Sequence, residues 1–366
     1  MRILFLPFLT IPSGHHHAAD GIRAEIETLN IPCQFEKVDI LSYGYGNIEK
    51  LISLIYLQWI QKFPQFYSFL YYLVSVKEKK TTKRYYLYEW LFLRKMKQLI
   101  KEMKPDIIIC THSLPSYLVA QLKSVQVWNG IVINVYTDYF INQLWGREHI
   151  DYHFAPSPCM REKLIGEGVK PLQTIVTGIP IHPVFRKENK KAKVTNYTVL
   201  ICGGNTGAGS IDRFLDQLAP SGLIMYKVLC GKNIKLYRSI KNRNHPYIEA
   251  LRYINDKEEM NKLYDKADAV ITKPGGITVT ECLWKKIPII VYEALPGQEE
   301  MNLRFLKKNK LIFHLKDWKH SQHVEKQILH MLHQNLLIQQ QVNYFKNNLV
   351  QEGICATIKK IVLSKQ

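Results

Sequence analysis

The sequence has no Cys-x-x-Cys pair and no dense cysteine framework, so it does not read as a disulfide scaffold. Its cysteines are scattered: Cys33, Cys110, Cys159, Cys202, Cys230, Cys282 and Cys355. Several lie in apolar runs such as Ile107-Ile108-Ile109-Cys110, which predicts buried thiols in a reducing compartment. No uncharged run approaches the roughly 18–20 residues of a membrane span. The longest apolar stretch, Phe63 to Val76, contains Pro64 and stops at Lys77. Met1 to Pro12 is apolar but short, with neither a basic leader region nor a small-residue cleavage site, so a first strand is expected there. The candidate sites hold no Asp-x-Asp metal motif and no Gly-Lys-Ser/Thr phosphate loop. Acids are scarce: 31 Asp+Glu against 50 Lys+Arg, a formal charge of +19. That excess suits nucleic acid, an anionic membrane leaflet or a phosphorylated substrate, and equally a generally basic solvated surface.

The chain does have the length and apolar content of a packed two-domain protein, with 366 residues and 46% hydrophobic side chains. Apolar β-branched runs alternate with amphipathic segments. Arg2–Leu6, Pro105–Cys110, Gly130–Tyr136 and Gln173–Gly178 read as strands, and Ala18–Leu29 as a helix. Phe185 to Lys193 is polar and without apolar period, as a linker would be. The alternation then restarts with strands at Tyr197–Cys202, Tyr226–Cys230, Ala269–Thr272, Pro288–Tyr292 and near Lys310–His314. Continuous apolar strands separated by helices predict parallel sheets covered on both faces. The expected division is a first domain over 1–186, a linker over 187–196, a second domain over 197–340 and a C-terminal helix over 341–366 that returns to the first domain.

Strand-to-helix turns are where such sheets hold ligands. After the first strand, Ser13-Gly14-His15 places an imidazole at the strand's carboxyl end, suited to proton transfer or to bonding a sugar. His16 and His17 do not share its helix face, so this run alone makes no metal site. Asp138 ends the strand Val135-Tyr136-Thr137-Asp138 and offers a second base, though an ordinary loop aspartate looks the same. Gly203-Gly204-Asn205-Thr206-Gly207 follows a strand and lets backbone approach phosphate, or simply makes a turn. The sharpest element is Thr272-Lys273-Pro274-Gly275-Gly276-Ile277-Thr278, a turn that starts a helix with its free amides outward. Glu281 follows one turn on, placed to accept two ribose hydroxyls or to compensate the helix dipole. Gln298 and Glu299 open the next helix and would meet hexose hydroxyls or serve as ordinary helix-start residues.

Two segments break the rhythm. Leu51 to Val76 is rich in aromatics, including Trp59, Phe63 and Phe66. Lys77 to Lys97 mixes cations such as Lys83 and Arg84 with rings such as Trp90. Rings suit the headgroup boundary and cations suit anionic lipid. A pair of core helices with basic outer faces has the same composition.

The set Tyr136-Thr137-Asp138-Tyr139 with Trp145, Val176 to Ile181, Cys230-Gly231-Lys232-Asn233, Thr272 to Glu281, and Pro296-Gly297-Gln298-Glu299 resembles one glycosyltransferase family. That family contains the monogalactosyldiacylglycerol synthases and the processive diacylglycerol glucosyltransferases. The resemblance implies a GT-B fold, α/β with two Rossmann-like domains facing across a cleft. It implies an inverting hexose transfer from a UDP-sugar to a membrane lipid such as diacylglycerol. Gly204, Lys232, Asn233, Lys273, Gly275, Gly276, Ile277, Thr278, Glu281, Gln298 and Glu299 become donor-binding positions. His15 and Asp138 become the candidates for acceptor activation. Trp59, Phe63, Phe66, Lys83, Arg84 and Trp90 become the acceptor and membrane face. No cofactor or metal is implied, since the UDP-sugar is a substrate. The expected partners are the UDP-sugar, an anionic membrane surface and the lipid, with no nucleic acid, at the inner face of the cell membrane. Pro12-Ser13-Gly14-His15 departs from the family's usual Gly-x-Gly-His. The rival readings are a polyprenyl or soluble acceptor, a UDP-sugar epimerase, and a basic nucleic-acid-binding protein.

Overall fold

The computed structural model describes residues 1–8, 13–46, 84–187, 196–203, 210–295, 297–321, 323–333, 340–341, 343–344 and 354–363. The candidates Trp59, Phe63, Phe66, Lys83 and Gly204, and most of the linker, lie outside these residues. The chain forms two compact units: Met1–His182 with Asn348–Gln366, and Pro183–Asn347.

The first unit holds a parallel sheet of β1 (Arg2–Leu6), β2 (Gln34–Lys37), β3 (Ile107–Cys110), β4 (Ile131–Val135), β5 (Tyr152–Ala155) and β6 (Thr174–Val176), in the order β2-β1-β3-β4-β5-β6. Its longer helices among the described residues are α1 (Gly14–Glu27), α2 (Ile40–Tyr45), α3 (Arg94–Met103), which continues the helical stretch Tyr86–Leu93, α4 (Ser113–Ser124) and α5 (Pro158–Gly166). Period-two alternation sends Ile3, Phe5, Ile107, Ile109, Ile133 and Val135 to one face. There they meet Ala19, Ile22 and Ile26 of α1, and Ile354, Ile358 and Ile361 of the C-terminal helix. Leu4, Leu6, Ile108, Cys110 and Val132 face the other way, onto Met96 and Leu99 of α3 and Leu118 of α4. Full burial of each such side chain is worth roughly 1.5–3 kcal/mol. Gly21 lets α1 ride directly on the chain, since a Cβ there would lie 2.8 Å from the Ile181 carbonyl carbon and oxygen.

The second unit repeats the plan with β7 (Tyr197–Cys202), β8 (Ile224–Leu229), β9 (Ile248–Leu251), β10 (Ala269–Thr272), β11 (Ile289–Val291) and β12 (Phe313–His314), in the order β12-β11-β10-β7-β8-β9. These strands again pair in parallel. Its helices are α6 (Ile211–Gln217), α7 (Ile234–Arg243), α8 (Lys257–Lys266), α9 (Gly276–Trp284), α10 (Gln298–Lys308) and α11 (Val324–His333). The C-terminal helix, α12 (Ile354–Leu363), belongs to the first unit.

Several expectations need correction. The compact units divide at His182, where the sequence suggested Arg186. The turn Pro183–Arg186 is tied to the second unit: Phe185 packs on Tyr264 at 5.6 Å and Arg186 lies over Trp284 at 5.0 Å. Within 341–366, Gln341 donates to the Leu311 carbonyl in the second unit, and α12 packs on the first. Helix α1 begins at Gly14, earlier than Ala18, because Ser13 is extended and stands at its N-cap. Cys159 is exposed and Cys33 half-buried, because each lies in a loop or outer helix face rather than in a strand.

Candidate functional site

In a parallel sheet all strands end at one edge. Strand order reverses direction between β1 and β3 in the first unit and between β7 and β10 in the second. Loops diverge at such points and leave room for ligands. The predicted residues divide between these two places.

In the first unit, His15 is the second residue of α1. Its Nδ1–H donates to the Thr111 carbonyl at 2.7 Å, and Thr137 Oγ1 stands 2.9 Å from the same nitrogen. A carbonyl only accepts, so Nδ1 carries the proton and the neutral ring keeps its lone pair on Nε2. Burial holds His15 below the usual imidazole range, against the charge of Asp138 and the Thr111 bond, which both favour the cation. A neutral imidazole with a free Nε2 is the form a general base requires. Asp138 follows Thr137 at the end of β4 and is half-buried. The neighbouring His16 approaches Ser13 Oγ at 3.3 Å, and burial takes its pKa down to about 4.

A second imidazole, absent from the sequence reading, stands beside the first. His112 meets His15 edge-on, with ring centroids 4.8 Å apart, and stacks on Phe8 at 4.7 Å. It caps α4, its Nδ1 accepting from the Leu114 amide at 3.2 Å. Only its position just past a strand's end would have marked it.

The motif residues Tyr136 and Trp145 are structural. Both are buried, their rings 4.6 Å apart, and the Tyr136 hydroxyl pairs with His153 Nδ1 at 2.8 Å. Asn134 donates to the Gly146 carbonyl at 2.8 Å, and the Gly146 amide donates to Ser116 Oγ at 3.0 Å. A Cβ at Gly146 would lie 2.8 Å from Ala120 Cβ and 2.9 Å from the Ser116 carbonyl oxygen. This clamp fixes the loop that follows Asp138.

In the second unit, β10 ends at Thr272 and α9 begins at Gly276. Gly275 is its N-cap and carries no side chain to satisfy the first amides, which have no acceptor one turn back. Open space surrounds the position of a Gly275 Cβ, so the room there is free for a ligand. Lys273, Gly276 and Ile277 are buried, and Thr278 is half-buried. Glu281 lies on the same helix, 8% exposed, and accepts from the Tyr264 hydroxyl at 2.9 Å. Burial pushes its pKa up to about 7, against Lys257 and the Tyr264 bond, which favour the anion. Tyr264 and Lys257 gave no sequence signal.

The remaining donor candidates have local tasks in the structure. Asn233 caps α7, accepting from the Leu236 amide at 3.0 Å, and Lys232 lies over Tyr253 at 5.4 Å. Glu299 takes the Leu295 amide at 2.7 Å, and Gln298 opens α10 half-buried. Glu293, another residue the sequence did not mark, takes both the amide and the hydroxyl of Ser210, at 3.2 and 2.9 Å. This bond ties the start of α6 to the loop after β11.

Of the lipid-facing candidates, Trp90 is 79% exposed beside Tyr86 at 70% and Leu87 at 67%, while Phe92 of the same stretch is buried. The Arg84 guanidinium, expected to meet anionic headgroups, is more than half exposed and paired with Glu89 at 2.6 Å. Among the described residues, no helix is long and apolar enough to cross a membrane, and no cluster of three metal-ligating side chains occurs.

Comparison with known proteins agrees with this layout. The family model for monogalactosyldiacylglycerol synthase matches residues 15–181, and that for the glycosyltransferase family 28 C-terminal domain matches residues 198–354. The chain is 48% identical over 319 residues to the uncharacterized glycosyltransferase YkoN of Bacillus subtilis, covering 87% of this chain and 85% of the relative. It is 29% identical over 310 residues to a processive diacylglycerol beta-glucosyltransferase of Bacillus licheniformis, covering 81% and 78%. The Acinetobacter baumannii MurG structure superposes over the full length of both chains with a TM-score of 0.62 at 13% identity, a likeness of fold.

Proposed function

Since the chain belongs to the glycosyltransferase family of the monogalactosyldiacylglycerol synthases and processive diacylglycerol glucosyltransferases, we propose that it transfers a hexose from a UDP-sugar to a membrane lipid such as diacylglycerol. The observation that carries the donor assignment is the second switch point. There an uncapped helix start follows a turn with open space, and a buried carboxylate lies on the same helix. Amides at a helix start hold a pyrophosphate, and the half-positive end of α9 stabilises the charge that gathers on departing UDP. Glu281 takes the ribose hydroxyls with one carboxylate oxygen braced by Tyr264.

The reaction is a single displacement with inversion. The acceptor oxygen attacks the anomeric carbon, the bond to the diphosphate oxygen breaks, and UDP leaves with the electron pair. The acceptor proton passes to His15 Nε2, and Asp138 favours the imidazolium that forms. The exposed ridge of Tyr86, Leu87 and Trp90 supports a lipid acceptor, since such side chains settle at a headgroup boundary. On this reading the protein works at the inner face of the cell membrane.

The test is incubation with labelled UDP-glucose, UDP-galactose and UDP-N-acetylglucosamine and a membrane lipid extract, followed by product mass. A glycosylated lipid supports the proposal. Conversion of the sugar nucleotide without any acceptor, or transfer only to a water-soluble acceptor, contradicts it.

A further inference from the structure

The imidazoles of His15 and His112 are fixed by the backbone in opposite senses. His15 gives its Nδ1 proton to the Thr111 carbonyl, so its Nε2 accepts. His112 takes the Leu114 amide on Nδ1, so in the neutral ring its Nε2 carries the proton and donates. The rings stand perpendicular, 88° apart, at the carboxyl ends of neighbouring strands. Both are half-buried, with part of each side chain open to solvent. One therefore offers a proton acceptor and the other a proton donor to whatever lies over the first switch point. The stacking of Phe8 on His112 and the N-cap bond hold the second ring in place. Thr111 Oγ1, on the residue before His112, is fully buried and has no hydrogen-bond partner among the described residues.

We propose that His112 is a substrate-positioning residue, whose Nε2–H binds a second oxygen of the acceptor while His15 takes the proton from the attacking hydroxyl. The acceptor class this pair fits carries an oxygen acceptor close to the nucleophile, such as the ester carbonyl of a diacylglycerol or a neighbouring hydroxyl of a sugar already attached. Burial of both rings and their mutual repulsion keep His112 neutral, as the donor role needs. The inference rests on the transferase reading above but adds a residue and a subsite to it.

The substitution H112N separates capping from positioning. Asparagine caps helices well, so the bond to the Leu114 amide survives while the distal N–H is lost. H112Q restores an amide N–H near the position of Nε2. The experiment measures lipid glycosylation by the full-length protein with each variant, together with KM for lipid and for UDP-sugar. In parallel, nitrogen chemical shifts of the histidine rings in the unmodified protein report the two tautomers. The expected result is a fall of about tenfold in kcat/KM for the lipid in H112N, the size of one lost hydrogen bond. KM for the UDP-sugar stays unchanged, H112Q recovers much of the loss, and the rings show opposite tautomers. No loss in H112N, equal loss in both variants, or matching tautomers would overturn the proposal. Absence of lipid transfer by the unmodified protein would instead overturn the transferase reading, whatever the nitrogen shifts show.

Discussion

The loops after β1 and β3 in the first unit carry two imidazoles and feel a carboxylate, while the loops after β7 and β10 in the second carry glycines and an uncapped helix start. The sheets behind them share one topology, six parallel strands with a single reversal. What differs, on the proposed function, is the side of the chemistry each would serve. Moving a proton needs a titratable group whose tautomer and charge are set by neighbours, and His15 has Thr111, Thr137 and Asp138 for that. Holding a pyrophosphate needs backbone amides and little side chain, which is what Gly275 and Gly276 supply. On the proposed reading, one scaffold hosts a proton-transfer place and an anion place by changing the residues at equivalent turns.

The sharpest way to break this contrast is H15A. Loss of a general base lowers the transfer rate by about 10²–10⁴-fold. Steady-state kinetics should show this with only a modest fall in melting temperature, since the ring is half-buried. A fall below tenfold would move the proton-transfer role elsewhere.

The second prediction concerns the buried carboxylate. Glu281 is raised from 4.5 to about 7. Its folded value lies above its unfolded one, so the stability it contributes is fully present below about pH 4.5 and is lost as pH rises through 7. E281Q removes that ionisation cost. It should match the wild type near pH 4 and exceed it at pH 8 by roughly 3 kcal/mol. Denaturant melts at both values check this, and an equal gap at the two would show that Glu281 ionises freely in the fold.

The smallest effect is expected from D138N. Asp138 raises the His15 pKa. Without that charge the acid limb of kcat/KM should move to lower pH while the rate on the plateau changes little. Loss of the limb altogether would make Asp138 the base.

Much of this was legible in the amino-acid order, because parallel strands buried on both faces show as unbroken apolar runs. Arg2–Leu6, Tyr197–Cys202 and Ala269–Thr272 appear in the structure with the bounds read from the sequence. Strand β2, Gln34-Phe35-Glu36-Lys37, was not legible: it lies at a sheet edge, largely exposed, with a single apolar residue. Strand β9 is likewise an edge strand of mixed character. The glycine turn before α9 announced itself through composition. Tyr264 did not, since it reaches Glu281 from another helix across 17 residues. His112 escaped because capping and ring contacts are tertiary facts, set by where Phe8 and α1 fall. Trp145 was marked as part of a motif, but only the structure shows that it is buried with its ring against Tyr136.

The division of labour between the two switch points is tested most directly by calorimetric titration of UDP into E281A and H15A. Two hydrogen bonds from ribose to a carboxylate are worth enough that E281A should bind UDP about 10–100-fold more weakly. H15A should bind UDP as the wild type does. Unchanged UDP affinity in E281A, or an equal loss in H15A, would contradict the account.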